Sequence, residues 1–239
     1  MNLAIDIGNT FTKVGLFDGD ELLEVKNQID SLDLKSYLRR KKPEFTIICD
    51  VSNGKEIIFN EIAGESELIF LNPNTRIPII NKYQTPETLG MDRLAAVIGT
   101  RVIFPDSANL SIDLGTCITY DFINRKGEYL GGRISPGMQL RWKAMHNYTA
   151  KLPMVERPQQ GKMEVGVDTV TSLRSGVVTG IVHEIEGTIR EFQEKFGQIN
   201  VILCGGDAKF FESIVKPTIF VNHNLTLLGL NKILKENVN

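Results

Sequence analysis

The segments Ala4-Ile5-Asp6-Ile7-Gly8-Asn9-Thr10 and Ser111-Ile112-Asp113-Leu114-Gly115-Thr116 decide the fold of this chain. Each is an apolar run closed by Asp, an apolar residue, Gly and a small polar residue. One such tetrapeptide is common by chance, so the weight falls on the context, which is repeated. After the first copy, Phe11 to Phe17 alternates up to the hairpin turn Asp18-Gly19, and Glu21 to Asn27 reads as a third strand. After the second copy, Cys117 to Ile123 is a strand, Asn124 to Gly127 a turn and Glu128 to Ile134 a third strand. One antiparallel meander therefore occurs twice, and an internal duplication organises the chain.

Between the meanders, Asp33 is placed to cap a helix through Arg40, ending before Pro43, and Phe45 to Val51 is a strand. Glu56 to Phe59 is predicted as a strand inside an ambiguous stretch that runs to Leu71. Turn residues surround a short strand at Arg76 to Ile80. Helical periodicity runs from Asp92 to Phe104, and Pro105-Asp106 ends it. The predicted boundary follows there, with lobes at 1–106 and 107–239. In the second lobe Pro136-Gly137 opens a helix to about Asn147 that carries Trp142 as a packing residue. A long helix spans Asp168 to Phe196, with Gly176 and Gly180 able to admit close helix approach. Asn200 to Cys204 is a strand, and Ala208 to Val215 and Leu225 to Glu236 are helices.

Composition narrows the function classes. With 239 residues and 42% apolar content the chain can build real cores. Its 27 Lys and Arg against 29 Asp and Glu give no positive field to gather nucleic acid or anionic lipid. The basic run Arg39 to Lys42 sits where a helix dipole favours it. Cys49, Cys117 and Cys204 are widely spaced and flanked by apolar residues, which predicts buried, reduced thiols. His146, His183 and His223 show no ligand spacing. No span is long enough for a bilayer and no signal segment is present, so a cytoplasmic protein is expected.

Four segments can carry chemistry. In Asp6-Ile7-Gly8-Asn9-Thr10-Phe11-Thr12-Lys13 the turn lets backbone N–H groups converge on phosphate oxygens. Asp6 can orient Mg²⁺ through water, while Thr10 or Lys13 meets phosphate. An ordinary hairpin with a salt-bridged Lys13 has the same local sequence. Asp113-Leu114-Gly115-Thr116 adds a carboxylate suited to a cation and a threonine suited to phosphate, so that two phosphate-binding hairpins are expected to face each other. Cys204-Gly205-Gly206-Asp207 lets a base or ribose approach the backbone, though many strand-to-helix connections look alike. In Gly90-Met91-Asp92-Arg93, Asp92 is either a helix cap or a carboxylate that accepts a hydroxyl proton beside Arg93.

Over nearly its whole length the sequence resembles the type III pantothenate kinases, a family of the actin, Hsp70 and sugar-kinase superfamily. The resemblance lies in the Asp6 to Thr10 start, Thr85-Pro86-Glu87-Thr88-Leu89-Gly90-Met91-Asp92-Arg93, the Asp113 to Thr116 turn and Gly205-Gly206-Asp207. It implies an α/β fold of duplicated ribonuclease H-like, actin-like ATPase lobes, each a mixed sheet flanked by helices. It also implies ATP-dependent phosphorylation of pantothenate to 4'-phosphopantothenate, the first step of coenzyme A biosynthesis. Asp92 would be the general base, with Tyr83, Gly90, Met91, Arg93 and Thr169 at the pantothenate site. Asp6, Ile7, Gly8, Asn9, Thr10, Phe11, Thr12, Lys13, Thr116, Gly205 and Gly206 would hold the nucleotide. Asp113 would bind a monovalent cation, K⁺ or NH₄⁺, beside Mg²⁺, and the long helix would join a homodimer. The competing expectations are another small-molecule kinase of the superfamily, which leaves Gly90 to Arg93 unexplained, and a non-catalytic accessory protein on the same fold.

Overall fold

The computed structural model describes residues 1–8, 11–52, 64, 66–159 and 164–238. The chain forms two compact units. One is Met1–Asp106 with Arg125–Gly131 and Asn224–Asn239, and the other is Ser107–Asn124 with Gly132–His223.

The first unit begins with β1 (Asn2–Ile7), β2 (Thr12–Asp18) and β3 (Glu21–Asn27), followed by α1 (Ser31–Lys41), β4 (Phe45–Asp50) and β5 (Glu67–Phe70). The sheet order is β3-β2-β1-β4-β5, with β1 antiparallel to β2 and parallel to β4. Alternation in β1 sends Leu3, Ile5 and Ile7 into a core with Leu34, Tyr37 and Leu38 of α1. On the other face Gly15, paired with Ala4, lies against Leu227 of the final helix, α6 (Leu225–Val238). That helix packs on β1, β2 and β4 and against α2 (Met91–Ile103). The short strand β6 (Ile80–Asn81) pairs with Glu128 and Tyr129.

The second unit repeats the plan. After β7 (Asn109–Leu114), β8 (Cys117–Ile123) and β9 (Glu128–Pro136) come α3 (Met138–Asn147) and the long α4 (Thr169–Phe196). The chain continues with β10 (Asn200–Cys204), α5 (Ala208–Glu212) and β11 (Phe220–Val221). The strand order β9-β8-β7-β10-β11 matches the first sheet position for position, again with β7 antiparallel to β8 and parallel to β10. Both meander turns place a glycine at positive φ, Gly19 at 58° and Gly127 at 77°. Leu110, Ile112 and Leu114 of β7 pack with Ile181, Ile185 and Ile189 of α4, all buried. The duplicated mixed-sheet architecture expected from the sequence is present.

Several local expectations are corrected. Asp30 caps α1, accepting a hydrogen bond from the Asp33 N–H at 2.8 Å; Asp33 itself lies inside the first turn. The strand expected at Arg76 to Ile80 is only Ile80–Asn81, because its pairing comes from Glu128 and Tyr129 rather than from local propensity. Strands β5 and β11 went unread, both being short strands whose order comes from parallel pairing. Helix α5 stops at Glu212, short of Val215. Cys117 is exposed, not buried, because it opens β8 directly after the turn; Cys49 and Cys204 are buried. A Cβ at Gly176 or Gly180 would meet nothing within 4 Å, so neither glycine serves a close helix contact among the described residues. The strand expected at Glu56 to Phe59 lies outside the described residues.

The α2–α6 contact depends on missing side chains. A Cβ at Gly229 would lie 1.8 Å from the Ala95 carbonyl oxygen, and one at Gly99 would lie 2.1 Å from that of Leu225. Alanine gains about 1 kcal/mol over glycine in a helix. Displacing a packed backbone costs about 3 kcal/mol, at the upper end of overpacking. Gly229→Ala is therefore expected to lower unfolding free energy by about 2 kcal/mol, read as a lower denaturant midpoint at unchanged slope.

Candidate functional site

The carboxylates Asp6 and Asp113 occupy the same place in the two copies. Each is next to last in its strand. Asp6 lies opposite Cys49 of the parallel neighbour, and Asp113 opposite Cys204. On the antiparallel side Asp6 faces Lys13, whereas Asp113 faces Thr119. Directly opposed residues share a face of the sheet.

In the first unit the turn after β1 is closed by the Gly8 N–H donating to the Phe11 carbonyl at 3.1 Å, and the Ile7 carbonyl accepts from the Val51 N–H at 3.1 Å. Phe11 is 58% exposed. Asn9 and Thr10 lie outside the described residues. In the second unit the Gly115 N–H donates to the Cys117 carbonyl at 3.1 Å, and the Leu114 carbonyl accepts from the Asp207 N–H at 3.0 Å. Gly205 is needed here: its φ is +89°, and a Cβ on it would stand 2.4 Å from Asp113 Oδ1 and 2.6 Å from the Leu114 carbonyl oxygen. Across the same turn, the Gly137 N–H donates to the Thr116 carbonyl at 2.9 Å. A Cβ on Gly137 would lie 2.1 Å from the Gly115 oxygen. Thr116 and Gly206 are exposed.

The Gly90 to Arg93 segment caps α2. A 3₁₀ turn at Pro86–Thr88 leads through buried Leu89 to Gly90 as N-cap. Asp92 Oδ1 accepts from the Arg93 N–H at 2.8 Å, and a Cβ on Gly90 would sit 2.6 Å from that oxygen. The glycine thus leaves room for the carboxylate. Arg93 is buried, with its guanidinium carbon 5.7 Å from the Tyr83 ring centroid, and Tyr83 stacks on Tyr129 at 6.0 Å. Tyr83, Gly90, Asp92 and Arg93 are brought together in the first unit, with half-buried Met91 as the first helical residue.

Thr169 lies in the second unit as the first residue of α4, exposed. With Leu140, Met145, Leu173 and Gly176 it lines a cavity of about 730 Å³. Thr171 is occupied otherwise: it forms a capping box with Asp168, whose carboxylate takes the Thr171 N–H at 2.8 Å. That bond holds the Asp168 carboxyl below the usual carboxylate range.

Two polar groupings escaped the sequence reading. Arg157 pairs with Asp207 at 3.0 Å and sits 5.9 Å from the Phe210 ring centroid. Glu184 of α4 gathers Tyr120, Ser135 and Arg141. Their residues lie 50 and up to 64 positions apart, so no local pattern announces them. Among the described residues no cluster of three or more His, Cys, Asp or Glu is placed to hold a metal ion, and no helix is long and apolar enough to cross a membrane.

The family model described as type III pantothenate kinase matches residues 2–191, more than half of the chain. A type III pantothenate kinase of Cytophaga hutchinsonii is 43% identical over 238 residues, covering 100% of both chains. Among solved structures, a conserved Campylobacter jejuni protein named for the Baf family of transcriptional activators aligns with a TM-score of 0.63 at 22% identity over 98% of each chain. A ROK hexokinase of Thermus thermophilus aligns with a TM-score of 0.55 at 13% identity over 99% of each chain. These two likenesses concern the fold alone.

Burial pushes the Asp207 carboxyl up, with the Arg157 guanidinium opposing that shift. Replacing Arg157 with Gln is expected to move the Asp207 titration, followed by carboxyl ¹³C NMR, to still higher pH. A downward or absent movement would show that the ion pair does not govern this carboxyl.

Proposed function

The chain belongs to the type III pantothenate kinase family, and from that premise we propose how its residues perform the reaction. The enzyme transfers a phosphoryl group from ATP to pantothenate, a step of coenzyme A biosynthesis. The observation that carries the reading of the site is the Asp92 carboxylate held over Gly90 beside the buried Arg93 and Tyr83.

Pantothenate offers two handles, a carboxylate and a terminal hydroxyl. Arg93 is a fixed cation against an aromatic ring and suits the carboxylate. Asp92, anchored through one oxygen by the Arg93 N–H, accepts the proton of the hydroxyl as its oxygen attacks the γ-phosphoryl group in line. Tyr83, Gly90 and Met91 shape this end of the site. Thr169 is assigned to the substrate rather than Thr171, which is committed to the helix cap.

The nucleotide phosphates belong to the two hairpins, Asp6 to Lys13 and Gly115-Thr116, and the nucleoside to Gly205-Gly206. Turn N–H groups and the Lys13 ammonium offset the charge that develops on the phosphoryl oxygens.

The donor sets fit the ions assigned to them. A Cβ on Gly205 would crowd the Asp113 carboxylate and the Leu114 carbonyl; these oxygens are hard donors of the kind a monovalent cation would take. Thr119 rather than a lysine stands opposite Asp113. Asp6, paired across β1 and β2 with Lys13, would orient Mg²⁺ through water. When bound, these ions supply positive charge to the transferring group. The working form is a homodimer joined through α4, in the cytoplasm, without nucleic-acid or membrane partners.

Asp92→Asn keeps the acceptor for the Arg93 N–H and loses the base. It is expected to lower kcat by about 10² to 10⁴-fold with KM for ATP near wild type, measured by coupled ADP release. Full turnover would remove Asp92 from the mechanism. Wild-type turnover is expected to require K⁺ or NH₄⁺ and to fail in Na⁺ alone, and Asp113→Asn to abolish the stimulation. Equal rates in both salts would contradict the cation site.

A further inference from the structure

A polar cluster in the second unit ties four elements together, β8, β9, α3 and α4. Glu184, on α4, accepts through Oε1 from the Tyr120 hydroxyl at 2.8 Å and from the Ser135 hydroxyl, and through Oε2 from the Arg141 guanidinium of α3. Arg141 also donates from Nε to the Pro136 carbonyl at 2.7 Å. That carbonyl belongs to the peptide linking Pro136 to Gly137, the residue whose N–H holds the Thr116 carbonyl at 2.9 Å. The contact has no slack, since a Cβ on Gly137 would come within 2.1 Å of the Gly115 oxygen.

Burial raises the Glu184 carboxyl, but the hydrogen bonds from Ser135, Arg141 and Tyr120 outweigh it and hold the group below the usual range. Burial, then the charge of Glu184, pushes the Tyr120 hydroxyl far up, so it remains a donor. A charged cluster in such a place costs desolvation that apolar packing would not. What it gives in exchange is orientation. Arg141 makes two bonds of fixed angle, one to Glu184 and one to Pro136, which a hydrophobic contact cannot reproduce. The neighbouring pair Arg133–Glu191 joins the same helix to the same strand but lies more exposed and reaches no atom of the turn.

We propose that Glu184 is a positioning residue for the phosphate-binding turn: through Arg141 and Ser135 it fixes the Pro136-Gly137 peptide, whose N–H holds Thr116 in place. The proposal rests on the reading of Gly115-Thr116 as a nucleotide phosphate site. It gives α4 a task in nucleotide binding that none of the residues assigned above shares.

The test is steady-state kinetics of the full-length enzyme with ATP varied at saturating pantothenate and the reverse, alongside thermal unfolding. Glu184→Gln removes the charge and keeps the shape. Arg141→Lys keeps the charge but cannot bond Glu184 and Pro136 with the same fixed geometry. Both are expected to raise KM for ATP about tenfold, the effect of weakening a charge-assisted hydrogen bond, with KM for pantothenate unchanged. Glu191→Gln, which breaks the exposed neighbouring pair, is expected to leave both constants unchanged. Thr116→Ala probes the turn directly and is expected to raise KM for ATP. If Thr116→Ala raises it while Glu184→Gln and Arg141→Lys do not, the positioning role is overturned. If the Glu184 and Arg141 variants raise both KM values and lose stability together, the cluster is structural only and the proposal fails. A normal KM for ATP in Thr116→Ala overturns the reading of the turn and the proposal with it. Should Glu184→Gln not fold, Arg141→Lys decides the matter alone.

Discussion

The structure depends on a parallel pairing made twice: the strand that carries an aspartate at its end lies beside the strand that follows the intervening helix. In register, Asp6 meets Cys49 and Asp113 meets Cys204. In both copies the carbonyl just after the aspartate accepts an N–H from the chain leaving the neighbouring strand, Val51 to Ile7 at 3.1 Å and Asp207 to Leu114 at 3.0 Å. This bond fixes where each hairpin turn stands relative to the sheet. Parallel strands demand a crossover connection, and α1 and α4 supply the helices that bury one face of each sheet. The carboxylates therefore owe their placement to sheet register, and the turns beside them to backbone bonds rather than to side-chain packing.

The copies diverge around their turns. Counted from the cysteine paired with each aspartate, the second connection is one residue longer, Cys204 to Asp207 against Cys49 to Val51, and it contains Gly205 at positive φ. Lys13 faces Asp6 where Thr119 faces Asp113. The duplicated frame therefore carries unequal neighbours at the position facing each carboxylate. Glycines recur wherever backbone meets backbone: Gly137 and Gly205 around the second turn, Gly99 and Gly229 between α2 and α6. Each marks a place where a side chain would have separated the two backbones.

The duplication was legible because it is a local signal made twice, an apolar run ending in Asp-apolar-Gly with a meander after it. Most strands and helices followed from the same kind of local pattern. Asp92 was legible as either a cap or a base; the N-cap position belongs to Gly90, and Asp92 in the first turn accepts the Arg93 N–H. What the sequence hid is non-local. Strands β5 and β11 exist through pairing with β4 and β10. The exposure of Cys117 follows from its place at the rim of a turn, which flanking apolar residues misrepresent. The final helix, read as part of the second lobe, packs on β1, β2 and β4; its apolar face is plain in the sequence, but not the sheet it covers. The Glu184 cluster joins residues 43 to 64 positions apart and has no motif at all.

That this chain uses ATP to phosphorylate the hydroxyl of pantothenate can be read from the product itself. It is tested most directly by incubating the purified protein with ATP, Mg²⁺, K⁺ and pantothenate and identifying the product by ³¹P NMR and mass spectrometry. A phosphomonoester on the terminal hydroxyl, 4'-phosphopantothenate, is expected in equal amount with ADP. ADP appearing without that ester, or the ester forming only on a sugar offered in place of pantothenate, would contradict it.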